Sequence, residues 1–394
     1  MTSKTTTDLA MVKRTWAGRR ASLVAAWRGV VQRDPSPPHV HGGRALVARM
    51  RMALKDAGVP LWLRTSMKDL IVDDKGAVIG ITRSARASSC VSVPARVSCW
   101  PPAVSSTTTR CARSTSRAWR GEHQHGRREN VGDGIVAGQK LGAAVDLMDD
   151  AWWMPSVMHP MGAVIPLVSE RSIPPSVIVN KDGKRFTNES APYVNFVHDQ
   201  LEGGHVPAYF IMDSKARSRY PFAQVLPGAP FPQGFYDKGI VHKANSLSEL
   251  AEQIGVPTQN LLETVDRFNG YARTGKDEEF GRGDSAYDRY YGDPTMKNPA
   301  MDEIVKGPFY AIRIEAGDLG TKGGLVTDAD ARVLREDGSV IDGLYATGNT
   351  SASVMANEYA GAGATIGPSM VFGYVAANRV ADSDVERVVG SGEK

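Results

Sequence analysis

The chain has 394 residues, of which 42% are hydrophobic and 23% charged, with 47 Lys and Arg against 43 Asp and Glu. This composition is typical of a globular protein of two or three domains and excludes a disordered chain. No apolar run reaches the ~18 residues of a membrane-spanning helix, and three cysteines are too few for a disulfide framework. We therefore expect no stable membrane insertion and a reducing, cytoplasmic location.

The predicted elements begin after an irregular segment, residues 1–42, in which Pro35-Ser36-Pro37-Pro38 interrupts any helix. Apolar residues at helical spacing predict a helix from Ala45 to Ala57 that ends at Gly58. The later elements are a strand at 60–63, a β-hairpin over 70–82, a helix at 135–145, strands at 177–179 and 209–212, helices at 247–254 and 260–272, a strand at 344–346 and a final helix from about 368 to 380.

The net charge of +4 comes from one segment, residues 84–128, which contains eight Arg, no Lys and a single acidic residue. The rest of the chain is mildly acidic. The segment also holds all three cysteines and shows neither helical nor strand periodicity. The basic charge is therefore no sign of a nucleic-acid partner, and we expect none.

Residues 84–128 allow three interpretations: a disordered loop, a nucleic-acid-binding arm, or a stretch read out of frame. The lack of Lys and the isolation of Trp100 and Trp119 disfavour the arm. When the codons are displaced by two bases, Cys99 and Trp100 give Leu-Ala, and the next codons are able to give Ala-Gly-Gly-Phe. We favour the out-of-frame interpretation, under which these residues encode no evolved structure and are disordered or poorly packed.

Two glycine-rich loops predict a cofactor-binding site near the C-terminus. The strand at 344–346 runs into Thr347-Gly348-Asn349, and a second loop, residues 361–367, leads into the final helix. Glycine lets a ligand approach the backbone closely, and the free N–H groups of a helix N-terminus favour an electron-rich ligand. Tight turns packed for steric reasons alone are the alternative, but the additional glycines of GTKGG (320–324) favour a ligand.

Six segments carry more specific motifs: NVGDGIVAGQKLGAA (130–144), GKRFTNESAPYV (183–194), GRGDSAYDRYYGDP (281–294), GDLGTKGGL (317–325), ARVLREDGSVIDGLYATGNTSAS (331–353) and EYAGAGATIGPSMVFGYVAA (358–377). They resemble FAD-dependent 3-ketosteroid Δ1-dehydrogenases, within the fumarate reductase/succinate dehydrogenase flavoprotein superfamily. The similarity covers roughly residues 43–83 and 130–385.

This resemblance implies an α/β fold, in which an incomplete Rossmann-like FAD-binding domain carries an inserted α+β catalytic domain. We expect the FAD-binding domain to comprise residues 43–154 and 321–385 and the catalytic domain residues 155–320, with a tail at 386–394.

The reaction that the resemblance implies removes a hydride from carbon 1 and a proton from carbon 2 of a 3-ketosteroid, the hydride passing to flavin N5. It requires a base near carbon 2 and an electrophilic group at the 3-carbonyl. The resemblance assigns the electrophilic site to the Tyr359 hydroxyl and the Gly363 N–H, and the base to Tyr193, which follows Asn188-Glu189-Ser190. A tyrosine serves as a base only where its surroundings lower its pKa from about 10.

FAD is the implied cofactor, and seven residues are implied to hold it. Gly348 and Asn349 are expected beside the ribityl-diphosphate, Ala364, Thr365 and Ile366 near the pyrimidine end, and Gly323 and Gly324 near the face or edge of the ring.

The chain departs from the family at its first motif. Related proteins open with a strand and GxGxxG at a helix N-terminus, whereas here Gly42-Gly43 follows no strand and has no third glycine. We interpret the chain as truncated, with the opening βαβ unit deleted. Because that unit supplies the main diphosphate anchor, we expect weak FAD binding or none.

Two other functions stay open: a fumarate- or urocanate-reductase type of enzyme, and an inactive, pseudogene-like remnant. The first needs a His near TxGG, but Leu319-Gly320 precedes Thr321. The expected partner is a steroid-like small molecule, and the electron acceptor is not identified by the sequence. We expect no metal site, because His39 and His41 have no third ligand in view. His123 and His125 have the spacing of metal ligands, but they lie inside the anomalous segment 84–128, and we interpret that spacing as accidental.

Overall fold

The computed structural model describes residues 8–31, 43–63, 65–84, 91–94, 97–99 and 132–390. The chain divides into two compact units, which we call unit I (Met1–Leu61 and Pro155–Ala316) and unit II (Trp62–Met154 and Gly317–Lys394). The domain boundaries expected from the sequence, with the catalytic domain at residues 155–320, stay a prediction.

Unit I contains eight of the helices that the structure describes and most of a six-stranded sheet. The helices are α1 (Trp16–Val31), α2 (Gly43–Asp56), α4 (Tyr193–Glu202), α5 (Ser214–Arg219), α6 (Gln233–Asp237), α7 (Leu247–Ile254), α8 (Thr258–Thr274) and α9 (Ala286–Tyr290). The strands are β6 (Ala151–Met158), β7 (Val164–Pro166), β8 (Ser176–Val179), β9 (Ala208–Met212), β10 (Val241–Ala244) and β11 (Phe309–Thr321). Their order is β7-β6-β11-β9-β8, and β10 also pairs with β11.

The core of unit I lies where α7 and α8 pack on the sheet. Strand β8 is buried along its whole length, and Val177 and Ile211 share a cluster with Leu261 and Phe268. Helix α7 begins where the Ser246 side chain accepts from the Glu249 N–H, and it ends at Gly255 with φ +70°. The strands and helices predicted in this region are confirmed.

The N-terminal residues differ from the sequence prediction. Helix α1 occupies part of the segment expected to be irregular, and Trp16 and Trp27 on it are exposed. The sequence of this segment has no amphipathic periodicity, and helix α1 accordingly has no apolar face that could be buried. Helix α2 is close to the predicted bounds, but none of its residues is buried.

Unit II contains the remaining described elements. They are the hairpin strands β1 (Ser66–Val72) and β2 (Val78–Ser84), then β3 (Val91–Pro94), β4 (Val97–Cys99), α3 (Asp133–Lys140), β5 (Val145–Asp146), β12 (Gly324–Leu325), β13 (Arg332–Leu334), β14 (Val340–Ala346) and α10 (Ile366–Gly390). Strands β6 and β11 each continue across the boundary between the units.

The predicted hairpin is confirmed. Strands β1 and β2 pair antiparallel, and the Asp73 carboxylate accepts the backbone N–H groups of Lys75 and Ala77, each at 2.9 Å. Gly76 completes the turn with φ +81°. A single polar side chain therefore closes the turn that the sequence indicated.

Strand β14 lies at the centre of a second sheet, between β13 and β4. Its pairing with β4 is parallel, and Val97 lies opposite Leu344. Leu344, Ala346 and Ile341 are buried in a cluster with Leu325. The glycine at 343 has φ +76°, and a Cβ there would overlap the Val78 carbonyl oxygen, so only glycine fits.

Three further predictions need correction. Residues 60–63 form no strand, and Leu61 and Trp62 are exposed. Helix α3 ends at Lys140 because the chain turns at Gly142, with φ +79°, into β5. Helix α10 starts at Ile366 and runs beyond the predicted end.

The anomalous segment is only partly described. Residues 91–94 and 97–99 form strands, contrary to the expected lack of structure, whereas 85–90, 95–96 and 100–128 lie outside the described residues. His39, His41, His123 and His125 also lie outside them. Within the described ranges no helix is long and apolar enough to cross a membrane.

Candidate functional site

Unit II contains an open pocket of about 320 Å³. Four of the seven residues predicted to hold a flavin line it: Gly348, Asn349, Ala364 and Thr365. Trp152, Thr321, Lys322 and Phe372 contribute to the same wall. The structure therefore brings the two predicted glycine-rich loops together at one cavity.

The first loop is positioned by β14. The buried strand ends at Ala346, and a 3-10 turn follows over Gly348–Thr350, with Gly348 at φ +63°. The Thr347 hydroxyl donates to the Ser369 carbonyl at 3.0 Å, which ties this loop to helix α10. A side chain of the first loop is thus hydrogen-bonded to the helix that follows the second loop.

The second loop has space above its glycines. Gly361 and Gly363 adopt φ +118° and +102°, and a Cβ added to either would have no atom within 4 Å. The Gly367 N–H donates to the Gly363 carbonyl at 2.8 Å, where helix α10 begins. Because this N–H is already paired and Pro368 has none, the start of α10 offers few backbone donors beside the pocket.

The glycine pair of GTKGG has a packing role. A Cβ at Gly323 would lie 2.5 Å from the Leu147 carbonyl oxygen, and one at Gly324 would lie 2.5 Å from the Thr350 carbonyl oxygen. Both residues are buried. The pair therefore lets β12 approach the chain before β6 and the first pocket loop, whatever ligand is bound.

Tyr359 is half-buried and lies against Trp152, a pocket residue. Their ring centroids are 6.3 Å apart with an interplanar angle of 76°, an edge-to-face arrangement. Gly363 follows four positions later and is exposed. The proposed electrophilic pair thus lies on the loop that enters the pocket.

Sequence reasoning missed Lys322 and Asp150. The Lys322 ammonium is fully buried, 3.2 Å from the Asp150 carboxylate and 3.0 Å from the Glu358 carbonyl oxygen, to which it donates. Burial lowers the pKa of Lys322, and the Asp150 carboxylate opposes that effect. Asp150 directly precedes strand β6. The one sequence feature that could have indicated this buried charge is the lysine among the small residues of GTKGG (320–324).

Tyr193, the residue expected to act as the base, belongs to unit I. It is the first residue of α4, where the helix dipole is positive, and 9% of it is exposed. Arg171 holds the residues that precede Tyr193. Its guanidinium donates to the backbone carbonyls of Glu189 and Ala191 at 2.5 and 3.0 Å.

A buried charge cluster anchors the same segment. Arg185 forms bidentate contacts with Glu189, at 2.8 and 2.7 Å, and with Asp277, at 3.0 and 2.8 Å. Arg282 donates to the Ser190 hydroxyl at 3.1 Å and to the Ser176 carbonyl at 2.7 Å. Arg282 therefore holds this loop by hydrogen bonding, and the Asn188–Ser190 turn before Tyr193 is fixed by buried side chains.

These features fit a flavin. Open space lies above two positive-φ glycines, a helix starts beside them, and the neighbouring wall carries small residues and an amide, Asn349. A family of FAD-binding domains matches residues 6–366 of the chain. The chain therefore belongs to the FAD-binding-domain flavoproteins, and FAD is the cofactor of its class.

Relatives of known activity narrow this class. The chain is 46% identical over 358 residues to a 3-oxosteroid 1-dehydrogenase of Mycolicibacterium smegmatis, covering 86% of the chain and 62% of that protein. It is 39% identical over 268 residues to a 4-oxocyclohexanecarboxylate 2-dehydrogenase of Sinomonas cyclohexanicum, covering 64% of the chain and 45% of that protein.

A solved structure agrees with these relatives. The 3-ketosteroid Δ1-dehydrogenase of Sterolibacterium denitrificans, in complex with 1,4-androstadiene-3,17-dione, superposes with a TM-score of 0.90 at 36% identity, covering 97% of the chain and 71% of that protein. Within the FAD-binding flavoproteins, the chain belongs to the 3-ketosteroid Δ1-dehydrogenase family, and the expected fold class is confirmed. It spans less than two thirds of the length of the Mycolicibacterium relative.

Proposed function

We propose that the chain is a flavin-dependent dehydrogenase that introduces a 1,2 double bond into a 3-ketosteroid or a related cyclic ketone. The observation that carries the proposal is the pocket of unit II, where Gly348, Asn349, Ala364 and Thr365 converge beside the Tyr359–Gly363 loop. The names of the relatives agree with this chemistry, since they act on ketones of a six-membered ring or a steroid.

Bound FAD would supply a hydride acceptor, N5 of its ring. The pocket loops and the start of α10 would hold it, with Gly348 and Asn349 on one side and Ala364, Thr365 and Ile366 on the other. The packing of Gly323 and Gly324 would fix the neighbouring wall.

The protein itself would supply the electrophilic group at the 3-carbonyl and the base near carbon 2. The Tyr359 hydroxyl and the Gly363 N–H would donate to the 3-carbonyl oxygen, which stabilises the negative charge that develops there as the carbon 2 proton leaves. Tyr193 would receive that proton, and its place at the start of α4 favours a negative charge on the oxygen.

A steroid-like small molecule fits the proposed function better than the carboxylate substrates of fumarate reductases. A fumarate-type site needs a His near TxGG, and here Leu319-Gly320 precedes Thr321. A cytoplasmic location belongs to the same proposal, since nothing in the three cysteines of the chain requires an oxidising compartment.

The test is turnover of androst-4-ene-3,17-dione by the purified chain, with added FAD and an artificial electron acceptor. The assay is run at saturating FAD. Tyr359→Phe should lower kcat about 100-fold, the effect of losing one such donor. No 1-ene product at saturating FAD would overturn the proposal and favour an inactive remnant.

A further inference from the structure

The proposed reaction makes no use of Lys322, although this residue lines the pocket. Its side chain is fully buried and its backbone is pinned on both sides: the Lys322 N–H donates to the Asp150 carbonyl at 3.2 Å, and the Ser353 N–H donates to the Lys322 carbonyl at 3.0 Å. A buried ammonium is costly unless it is paired and hydrogen-bonded, so a position of this kind needs a physical reason.

Asp150 supplies the counter-charge and is itself held in place. One carboxylate oxygen accepts the backbone N–H of Ala151 and the indole N–H of Trp153, each at 2.8 Å. The other oxygen lies 3.2 Å from the Lys322 ammonium. The direction of the lysine side chain is therefore set by a carboxylate that has little freedom to move.

The ammonium reaches the Tyr359 loop in two ways. It donates to the carbonyl of Glu358, the residue directly before Tyr359, at 3.0 Å. It also lies 5.1 Å from the ring centroid of Trp152, whose ring meets the Tyr359 ring edge-to-face. One cation thus contacts both the backbone before the tyrosine and the aromatic ring against which the tyrosine packs.

We propose that Lys322, oriented by Asp150, is a positioning residue that fixes the Tyr359 ring at the edge of the pocket so that its hydroxyl meets the substrate carbonyl. This inference rests on the proposed function, because it gives a purpose to the position of Tyr359. We call the contacts of Lys322 with Asp150, the Glu358 carbonyl and the Trp152 ring the clamp. The Tyr359 loop needs such a clamp, because Gly361 and Gly363 adopt positive φ and residues 356–358 are exposed. A displacement of about 1 Å at a group that polarises a carbonyl is enough to lower the rate about 100-fold.

The variants remove the clamp without leaving a buried charge unpaired. Asp150→Asn/Lys322→Met replaces both charges together, and the asparagine keeps a carbonyl oxygen for Ala151 and Trp153. Lys140→Met is the matched control, because Lys140 forms an exposed ion pair with Asp69 in the same unit at the same distance of 3.2 Å. Circular dichroism establishes that each full-length variant is folded before the other measurements.

The first readout needs neither flavin nor substrate. Amide hydrogen exchange of a peptide covering residues 353–364 should be at least several-fold faster in the double variant than in the wild type, and unchanged in Lys140→Met. Exchange equal to the wild type's would overturn the clamp, whatever the activity of the protein.

The second readout separates positioning from stability. Androst-4-ene-3,17-dione bound in a carbonyl-polarising site absorbs at longer wavelength than in water, so its difference spectrum reports the Tyr359 contact. We expect the shift to shrink in the double variant as it does in Tyr359→Phe, with kcat about 10-fold to 100-fold lower and KM changed less than threefold. A full shift with normal kcat would refute the inference, whereas a wild type without binding or turnover would refute the proposed function alone.

Discussion

Glu189→Gln is expected to destabilise unit I strongly. Glu189 is fully buried and balances two arginines: it receives two hydrogen bonds from Arg185, and its carboxylate lies 3.4 Å from the Arg282 guanidinium. Glutamine keeps the shape but removes one negative charge, so a buried positive charge is left uncompensated. Breaking a buried pair in this way costs about 3–5 kcal/mol. For a unit of this size that corresponds to a Tm lower by about 6–20 °C.

Urea unfolding at pH 7, followed by circular dichroism, measures the loss, and Glu303→Gln is the control. Glu303 pairs with Arg273 at 2.8 Å on the surface, where such a pair contributes about 1 kcal/mol at most. The pKa of Glu189 is lowered by the adjacent guanidinium groups against the effect of burial. Its contribution is therefore complete above the ordinary glutamate pKa and is lost as the pH falls below it. A Glu189→Gln variant within 1 kcal/mol of Glu303→Gln at pH 7 would refute this reasoning.

Three further substitutions test residues of unit II. Asp318 in β11 is buried, and burial raises the pKa of its carboxyl group to about 7, an effect that the Gly320 backbone N–H offsets only in part. Its neutral form is favoured in the fold, so wild-type stability should decline as the pH rises from about 4 to 7. Asp318→Asn should be more stable than the wild type at pH 8 and lose that advantage at pH 5; parallel curves in denaturant melts would contradict this. Gly324→Ala should cost about 1–3 kcal/mol or more by overpacking, whereas Gly367→Ala, which has open space at its Cβ, should not destabilise; equal melting temperatures would be the contrary result.

Elements with a local signature could be predicted from the sequence. The hairpin over 70–82 has an aspartate and a glycine at its turn, and helix α7 has its cap and its terminal glycine within the segment itself. The strand proposed for 60–63 failed because an apolar run forms a strand only where a partner strand is available, and here Leu61 and Leu63 are exposed.

The candidate site likewise contains residues that could be predicted from the sequence and residues that could not. Glycine-rich loops can be recognised in a sequence because their backbone conformations restrict the residue type, so the loops that contain Gly348 and Gly363 could be predicted. Lys322 was not found, because the carboxylate and the carbonyl that give it a purpose come from distant parts of the chain. Charged residues whose partners are supplied by the tertiary fold carry no local pattern.

The continuity of β6 and β11 across the unit boundary limits how the protein can be dissected. A fragment cut at 154/155 or 316/317 would divide a strand in two and leave its backbone groups unpaired at an open edge, a template for aggregation. Expression of the middle of the chain by itself should therefore retain both strands in full, from Ala151 to Thr321. Proteases that attack exposed loops should likewise spare these two crossings.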